Sequence, residues 1–165
     1  MTLVPFDKNC PFTVIATASS HVDHICISFE LDGPIEQLKE DSIQGDQRGF
    51  AIGLWEQCCF ELFLRRDRQY IEWNLSRGGQ WACFAFSDYR QKTEDLKGVE
   101  QPEVHWNTES KTLKAKLPKV LLDGREQDEF SLTCILKTGD QTHYFAKAHP
   151  QDKPDFHKDC AYQKL

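Results

Sequence analysis

The sequence predicts an all-β protein, an antiparallel two-sheet β-sandwich formed as one domain over residues 1–165. Three observations predict it. Apolar and polar residues alternate with period two through most of the chain, the signature of half-buried strands. The alternating runs are short and end at turn residues, and no segment sustains a 3.6-residue period with helix caps. Aromatic residues make up 12% of the chain, which suits a sheet core filled with rings. A chain of this length buries roughly 70% of its unfolded surface, so it needs no disulfide or metal to fold.

The elements follow in order. From His24 to Leu31, Ile25, Ile27, Phe29 and Leu31 share one face and His24, Cys26, Ser28 and Glu30 the other. Asp32-Gly33-Pro34 stops that strand. Residues 40–53 are polar and contain glycine, and read as a long loop. Strands are expected at 58–64, 70–75 and 81–86, the last two joined through Gly78-Gly79. Residues 91–101 read as a charged loop. Further strands are expected near 103–107, 112–117, 129–137 and 142–148, with Phe130, Leu132, Cys134 and Leu136 on one face of the third. Val120-Leu121-Leu122, before Asp123-Gly124, reads as a single helical turn.

A formal charge of −6 disfavours nucleic acid as a partner. The one dense basic cluster, Arg65, Arg66 and Arg68 around Asp67, falls between two expected strands and reads as a solvated hairpin turn. No stretch approaches the ~18 apolar residues of a membrane-spanning helix. The opening MTLVPFDKNCPF lacks the basic start and apolar run of an export signal. The seven cysteines include no C-x-x-C pair and read as reduced thiols of a cytoplasmic chain.

The block from Leu54 to Arg90 carries the chemistry. Period-two sorting puts Cys58, Phe60, Leu62, Leu64, Ile71, Trp73, Leu75, Ala82, Phe84 and Phe86 on a core face. The opposite face receives Cys59, Glu61, Phe63, Tyr70, Glu72, Asn74, Trp81, Cys83 and Ala85. Rings beside carboxylates and an amide are what a sugar site requires: a flat apolar surface for the pyranose and acceptors for its hydroxyls. Glu61 and Glu72 on neighbouring strands would lie ~6 Å apart, on the order of 3 kcal/mol of repulsion at an effective dielectric of 20. A cation or a positive side chain must lie between them, or one must be protonated. Arg90 and the C-terminal histidines are the candidate partners. The same residues equally suit a buried ion-pair network that fixes sheet register, and paired carboxylates also serve glycoside hydrolysis.

A second constellation, Ala148-His149-Pro150 and Lys153-Pro154-Asp155-Phe156-His157, follows the last long strand. Its prolines stiffen the backbone, and His149, Asp155 and His157 are candidates for ligand contact, for a divalent metal, or for a rigid closing loop. Trp55 is either an exposed platform or an edge packing residue. His21, His24, His105 and His143 show no clustering and read as ordinary residues.

Leu54-Trp55-Glu56, Cys59-Phe60-Glu61-Leu62-Phe63-Leu64, Tyr70-x-Glu72-x-Asn74-x-Ser76, Trp81 and Tyr89-Arg90 together resemble the DOMON-like domain family, related to the type 9 carbohydrate-binding modules. The ending His149-Pro150 with Lys153-Pro154-Asp155-Phe156-His157 resembles the family's C-terminal signature, and the resemblance spans residues 13 to 160. It implies a two-sheet β-sandwich of bacterial type that binds sugars or haem without catalysis. Ser76-Arg77-Gly78-Gly79 departs from the family's Ser-Pro-Ser-Gly turn. Haem is not expected, because its axial methionine would have to be Met1, although a bis-His site stays open. Related modules carry calcium, so a calcium ion between the carboxylates stays open too, although no dedicated calcium loop is present.

The expectation is therefore a non-catalytic binder of a small polar ligand, a sugar, at Trp55, Glu61, Tyr70, Glu72, Asn74, Trp81, Arg90, His149, Asp155 and His157. The alternatives are an enzyme using Glu61 and Glu72 with His149 or His157 as acid and base, and a protein-interaction module.

Overall fold

The computed structural model describes residues 1–39 and 48–165, so part of the loop expected over 40–53 lies outside the described residues. The described chain is all-β and antiparallel. Its strands are β1 (Thr2–Pro5), β2 (Thr13–Ser20), β3 (His24–Asp32), β4 (Cys59–Arg66), β5 (Gln69–Leu75), β6 (Trp81–Asp88), β7 (Gln91–Asp95), β8 (Glu103–Asn107), β9 (Thr112–Pro118), β10 (Glu129–Thr138), β11 (Gln141–Ala146) and β12 (Gln163–Lys164). Eleven form one hydrogen-bonded path, β7-β6-β5-β4-β10-β11-β1-β2-β3-β9-β8, and β12 pairs with β10. The hydrogen bonding thus runs through a single large sheet, where the sequence reading expected two. The link is β1, which pairs with β2 through Thr2–Ile15 and with β11 through Val4–Ala146.

The two arms of this strip share one apolar core. Val14, Ile25, Ile27, Phe29, Leu113 and Leu117 come from one arm, and Phe60, Leu62, Ile71, Trp73, Leu132 and Phe145 from the other. Phe29 on β3 and Phe60 on β4 bring their ring centroids to 5.3 Å. Phe130, Leu132, Cys134 and Leu136 share this face as expected.

The reverse face of the β4-β5-β6-β10 arm is buried as well. Cys59, Phe63, Tyr70, Phe84, Phe86 and Ile135 form a second cluster there, covered by Leu54, Phe156, Ala161 and Tyr162. A strand covered on both faces reads as a continuous apolar run rather than an alternation. That explains the WACFAF of β6, whose sequence does not label its faces.

Several expectations need correction. Residues 91–95 are not loop but an edge strand, β7, whose exposed residues carry charges instead of alternating apolar side chains. Leu122 bridges to Arg125 in a tight turn, with Asp123 at φ +50° and Gly124 at φ +71°, so no helical turn forms there. Strands β1 and β2 carry too few large apolar residues to announce themselves. The basic cluster does lie at a hairpin, Arg66 pairing with Gln69 around Asp67 at φ +56°. Cys10, Cys26, Cys59, Cys83, Cys134 and Cys160 are free thiols, and Cys58 and Cys59 face opposite clusters.

Candidate functional site

The second cluster does not close completely. A cleft of about 440 Å³ opens into it, lined by Trp55, Glu61, Phe63, Glu72, Phe84, Phe86, Arg90, Lys92, Ile135, Tyr144, Pro154, Asp155, Phe156 and His157. Strands β4, β5, β6 and β10, the turn at Leu54–Glu56 and the Pro154–His157 segment build most of it. Antiparallel pairing sets Glu61 opposite Asn74 and Phe63 opposite Glu72, so both carboxylates project from one face of the β4–β5 pair. On β6, Phe84 pairs with Glu72, and on β10, Thr133 pairs with Glu61. The turn Leu54–Glu56 supplies Trp55, which is 40% exposed with its ring 5.9 Å from Phe84. The Pro154–His157 segment folds over the opposite side.

The carboxylates are nearly out of water, Glu61 at 2% exposure and Glu72 at 7%. Thr133 Oγ1 donates to Glu61 Oε2 at 2.8 Å, and Asn74 Nδ2 donates to Glu72 Oε1 at 2.7 Å. Cys59 Sγ in turn donates to Asn74 Oδ1 at 3.1 Å. Burial pushes both carboxyl groups well above the ordinary carboxylate range, and the charge of Glu72 pushes Glu61 further. Asn74, Arg90 and Lys92 pull Glu72 partly back. The repulsion expected from the sequence is therefore met by a raised proton affinity of the pair, which disfavours both groups ionising together. Two carboxyls among phenyl rings, with Arg90 and Lys92 at the mouth, fall short of the six to eight oxygens calcium takes.

A chain of polar contacts runs from Glu72 to the rim. His157 Nε2 faces Glu72 Oε2 at 4.0 Å. The Arg90 backbone N–H donates to the Tyr70 hydroxyl at 3.0 Å, and Tyr70 Oη lies 2.7 Å from His157 Nδ1. In one of the two tautomers the Tyr70 hydroxyl, its oxygen accepting from Arg90, donates its own proton to Nδ1. That leaves the imidazole proton on Nε2, toward Glu72. Burial pushes the Tyr70 hydroxyl up to about 12, so it keeps this proton. Burial, aided by the Arg90 charge and opposed by Asp155, pushes His157 down to about 4, so the ring is neutral.

Asp155 anchors this side. Its side chain is 2% exposed, and it accepts from Tyr89 Oη at 2.5 Å, Arg90 Nη2 at 3.1 Å and the His157 backbone N–H at 3.2 Å. Although burial acts against it, these donors hold its carboxyl below the usual range. Arg90 bends the β6–β7 hairpin at φ +55° and leaves its guanidinium half exposed at the rim.

Of the ten residues expected from the sequence, Trp55, Glu61, Glu72, Arg90, Asp155 and His157 line the cleft. Tyr70 and Asn74 stand directly behind it, holding His157 and Glu72. The other two lie elsewhere. Trp81 pairs with Leu75, which turns it into the main core against Trp73 at 5.7 Å; Phe84 and Phe86 take the cleft face instead. The expected faces of β6 are thus exchanged. His149 Nε2 donates to Val4 O at 2.8 Å and its ring packs on Phe6, which makes it a fastener of β1 rather than a cleft residue. Sequence reading missed Phe84, Phe86, Ile135, Tyr144, Lys92 and the ring of Phe156. The Glu72–Phe84 register would have exposed the first two.

No family model matches the chain, and no curated protein matches it. Among solved structures it is similar to a putative carbohydrate-binding protein from Bacteroides uniformis, at a TM-score of 0.54 and 13% identity over 93% of this chain and 76% of that one. At that identity the likeness shows a shared fold.

Proposed function

We propose that the cleft binds a small polar ligand, a sugar, without chemical turnover, in a single sandwich-like domain of DOMON-like type made by folding the strip of strands on itself. The observation that carries this reading is the pair of buried carboxyls on the floor of a ring-walled cleft, both held by burial toward their protonated forms. A protonated carboxyl both donates and accepts and an ionised one accepts, so a pair that shares a proton matches hydroxyl groups of either polarity with at most one buried charge. Trp55, partly exposed at the mouth, offers a flat face for the apolar side of a pyranose, and Arg90 adds charge-assisted bonds at the rim. The volume falls within the ~300–1,000 Å³ of small-molecule sites. The carbohydrate-binding description of the similar structure points the same way.

A thermal-shift screen against mono- and disaccharides tests the reading. A ligand at a hundredfold excess over Kd adds about 2.7 kcal/mol of apparent stability. A sugar-specific shift that disappears in Glu72→Gln is the expected result. Glutamine is nearly isosteric with Glu72 and keeps an oxygen to accept from Asn74, so the variant stays folded. Flat responses to every sugar, or shifts equal in the variant, would reject the sugar site.

A second reading is favoured by the Glu72–His157–Tyr70 chain, whose displaced proton affinities suit acid–base work. It retains His157 and drops His149, which is spent on Val4. It requires turnover of a bound sugar that Glu61→Gln abolishes.

A further inference from the structure

Away from the cleft, the β2–β3 hairpin gathers three metal-ligating side chains that the sequence reading treated as unrelated. The candidate ligand atoms of His21, His24 and Cys26 lie within 4.8 Å of one another. His21 and His24 flank the tight turn, closed by the His21 N–H donating to His24 O at 2.9 Å. Their rings stack at a centroid distance of 4.5 Å and an interplanar angle of 11°. His24 and Cys26 are two apart on β3, so both stand on its outer face, while Ile25 and Ile27 fill the core behind them.

The surroundings are arranged as those of a metal site. Asp23 Oδ1 lies 2.6 Å from His24 Nδ1, so the carboxylate accepts from Nδ1–H and leaves Nε2 as the ligand atom. A carboxylate behind an imidazole is the usual support of a metal-bound histidine, fixing its tautomer and raising its basicity. Ser19 Oγ lies 3.3 Å from His21 Nε2 and orients the second ring. Cys26 is a free, half-buried thiol. Its cross-strand neighbour Lys116 is held by Glu103 at 3.4 Å.

The geometry points to a binding site for one zinc-class divalent ion, held by His21, His24 and Cys26 with a fourth position open to solvent. Two imidazoles and a thiolate form a borderline-soft donor set that suits Zn²⁺ over Mg²⁺ or Ca²⁺. Ligands around a tetrahedral zinc ion sit roughly 3.5 Å apart, given bonds of about 2.0–2.3 Å. The present spacing therefore needs a small closure, which the exposed His21 side chain can supply. Binding releases the thiol proton and leaves the imidazoles neutral. It also pins the two sides of the turn together.

Cobalt titration of the untagged protein tests this, because Co²⁺ substitutes for zinc and a thiolate ligand gives it a near-ultraviolet charge-transfer band. One equivalent should bind with that band and with visible bands of tetrahedral intensity, and zinc should displace it. Cys26→Ser should abolish the charge-transfer band, whereas Cys160→Ser, which removes an exposed cysteine elsewhere, should leave it intact. His21→Ala, at an exposed turn position, should weaken binding at least tenfold without changing the metal-free melting temperature. Asp23→Asn should weaken it by about 10–100-fold with all three ligands in place. The absence of a thiolate band at excess cobalt overturns the assignment. So does a band that survives in Cys26→Ser, or binding unchanged in His21→Ala.

Discussion

Replacing Asp155 with alanine will unfasten the C-terminal wall of the cleft, and the size of the loss follows from its contacts. The carboxylate receives three donors: the Tyr89 hydroxyl, the Arg90 guanidinium and the His157 backbone N–H. Bonds to a charged group contribute roughly 1.5–3 kcal/mol each when sheltered from water. The Arg90 bond is discounted to under about 1 kcal/mol because its guanidinium is half exposed. The total is about 4 kcal/mol, a large share of the ~5–15 kcal/mol that stabilises a typical domain. Urea denaturation at pH 7 measures it directly. Asp155→Asn should lose about half as much, since the amide still accepts but brings no charge. A pH series adds a sign. The Asp155 carboxyl is held below its ordinary 3.8 in the fold, so its contribution is complete above that value and is lost as pH falls through the depressed one. The alanine variant should lack this acid-limb decline. A loss under about 1 kcal/mol, or an unchanged acid limb, would show that Asp155 does not hold the segment.

The buried pair predicts the opposite slope. Burial holds Glu61 and Glu72 well above their ordinary 4.5 in the fold, so their contribution is complete below 4.5 and lost as pH rises through the raised values. Melting temperatures measured from pH 5 to 9 should fall more steeply for the wild type than for Glu61→Gln. His157 runs the other way: its neutral form is present above its ordinary 6.5, and its contribution is lost as pH falls toward about 4. Trp81→Ala should cost about 3–5 kcal/mol by leaving a cavity against Trp73, whereas Trp55→Ala should change stability by under about 1 kcal/mol and remove sugar binding. Denaturation and thermal-shift measurements on the two variants separate core from cleft.

The strands that build the floor were legible because their polar residues label one face. Glu61 against Leu62, and Glu72 and Asn74 against Trp73, leave no choice of side. Strand β6 has no such marker. Both parities of WACFAF are apolar because both faces are covered, and only its register with β5 decides that Phe84 and not Trp81 meets the carboxylates. Edge strand β7 escaped for the converse reason, since QKTED has nothing to bury. Asp155 and His157 were grouped with His149, but which of the three reach the cleft depends on an irregular segment folding back over a distant sheet, which no local period encodes. The His21-x-x-His24-x-Cys26 spacing was visible in the sequence. What was hidden was the tight turn that stacks the rings.

The position of β1 as the seam between the arms has a kinetic consequence. Each arm is built mostly from hairpins that can zip locally, but Val4 meets Ala146 across nearly the whole chain. Closing so large a loop is entropically slow, and it is rewarded by a short ladder, the Phe6 N–H to Tyr144 O bond, the His149–Val4 bond and burial of Leu3. The seam should therefore form late, after both arms have collapsed. Until it does, β2 and β11 present unpaired edges, and those edges are where two unfinished molecules would find each other.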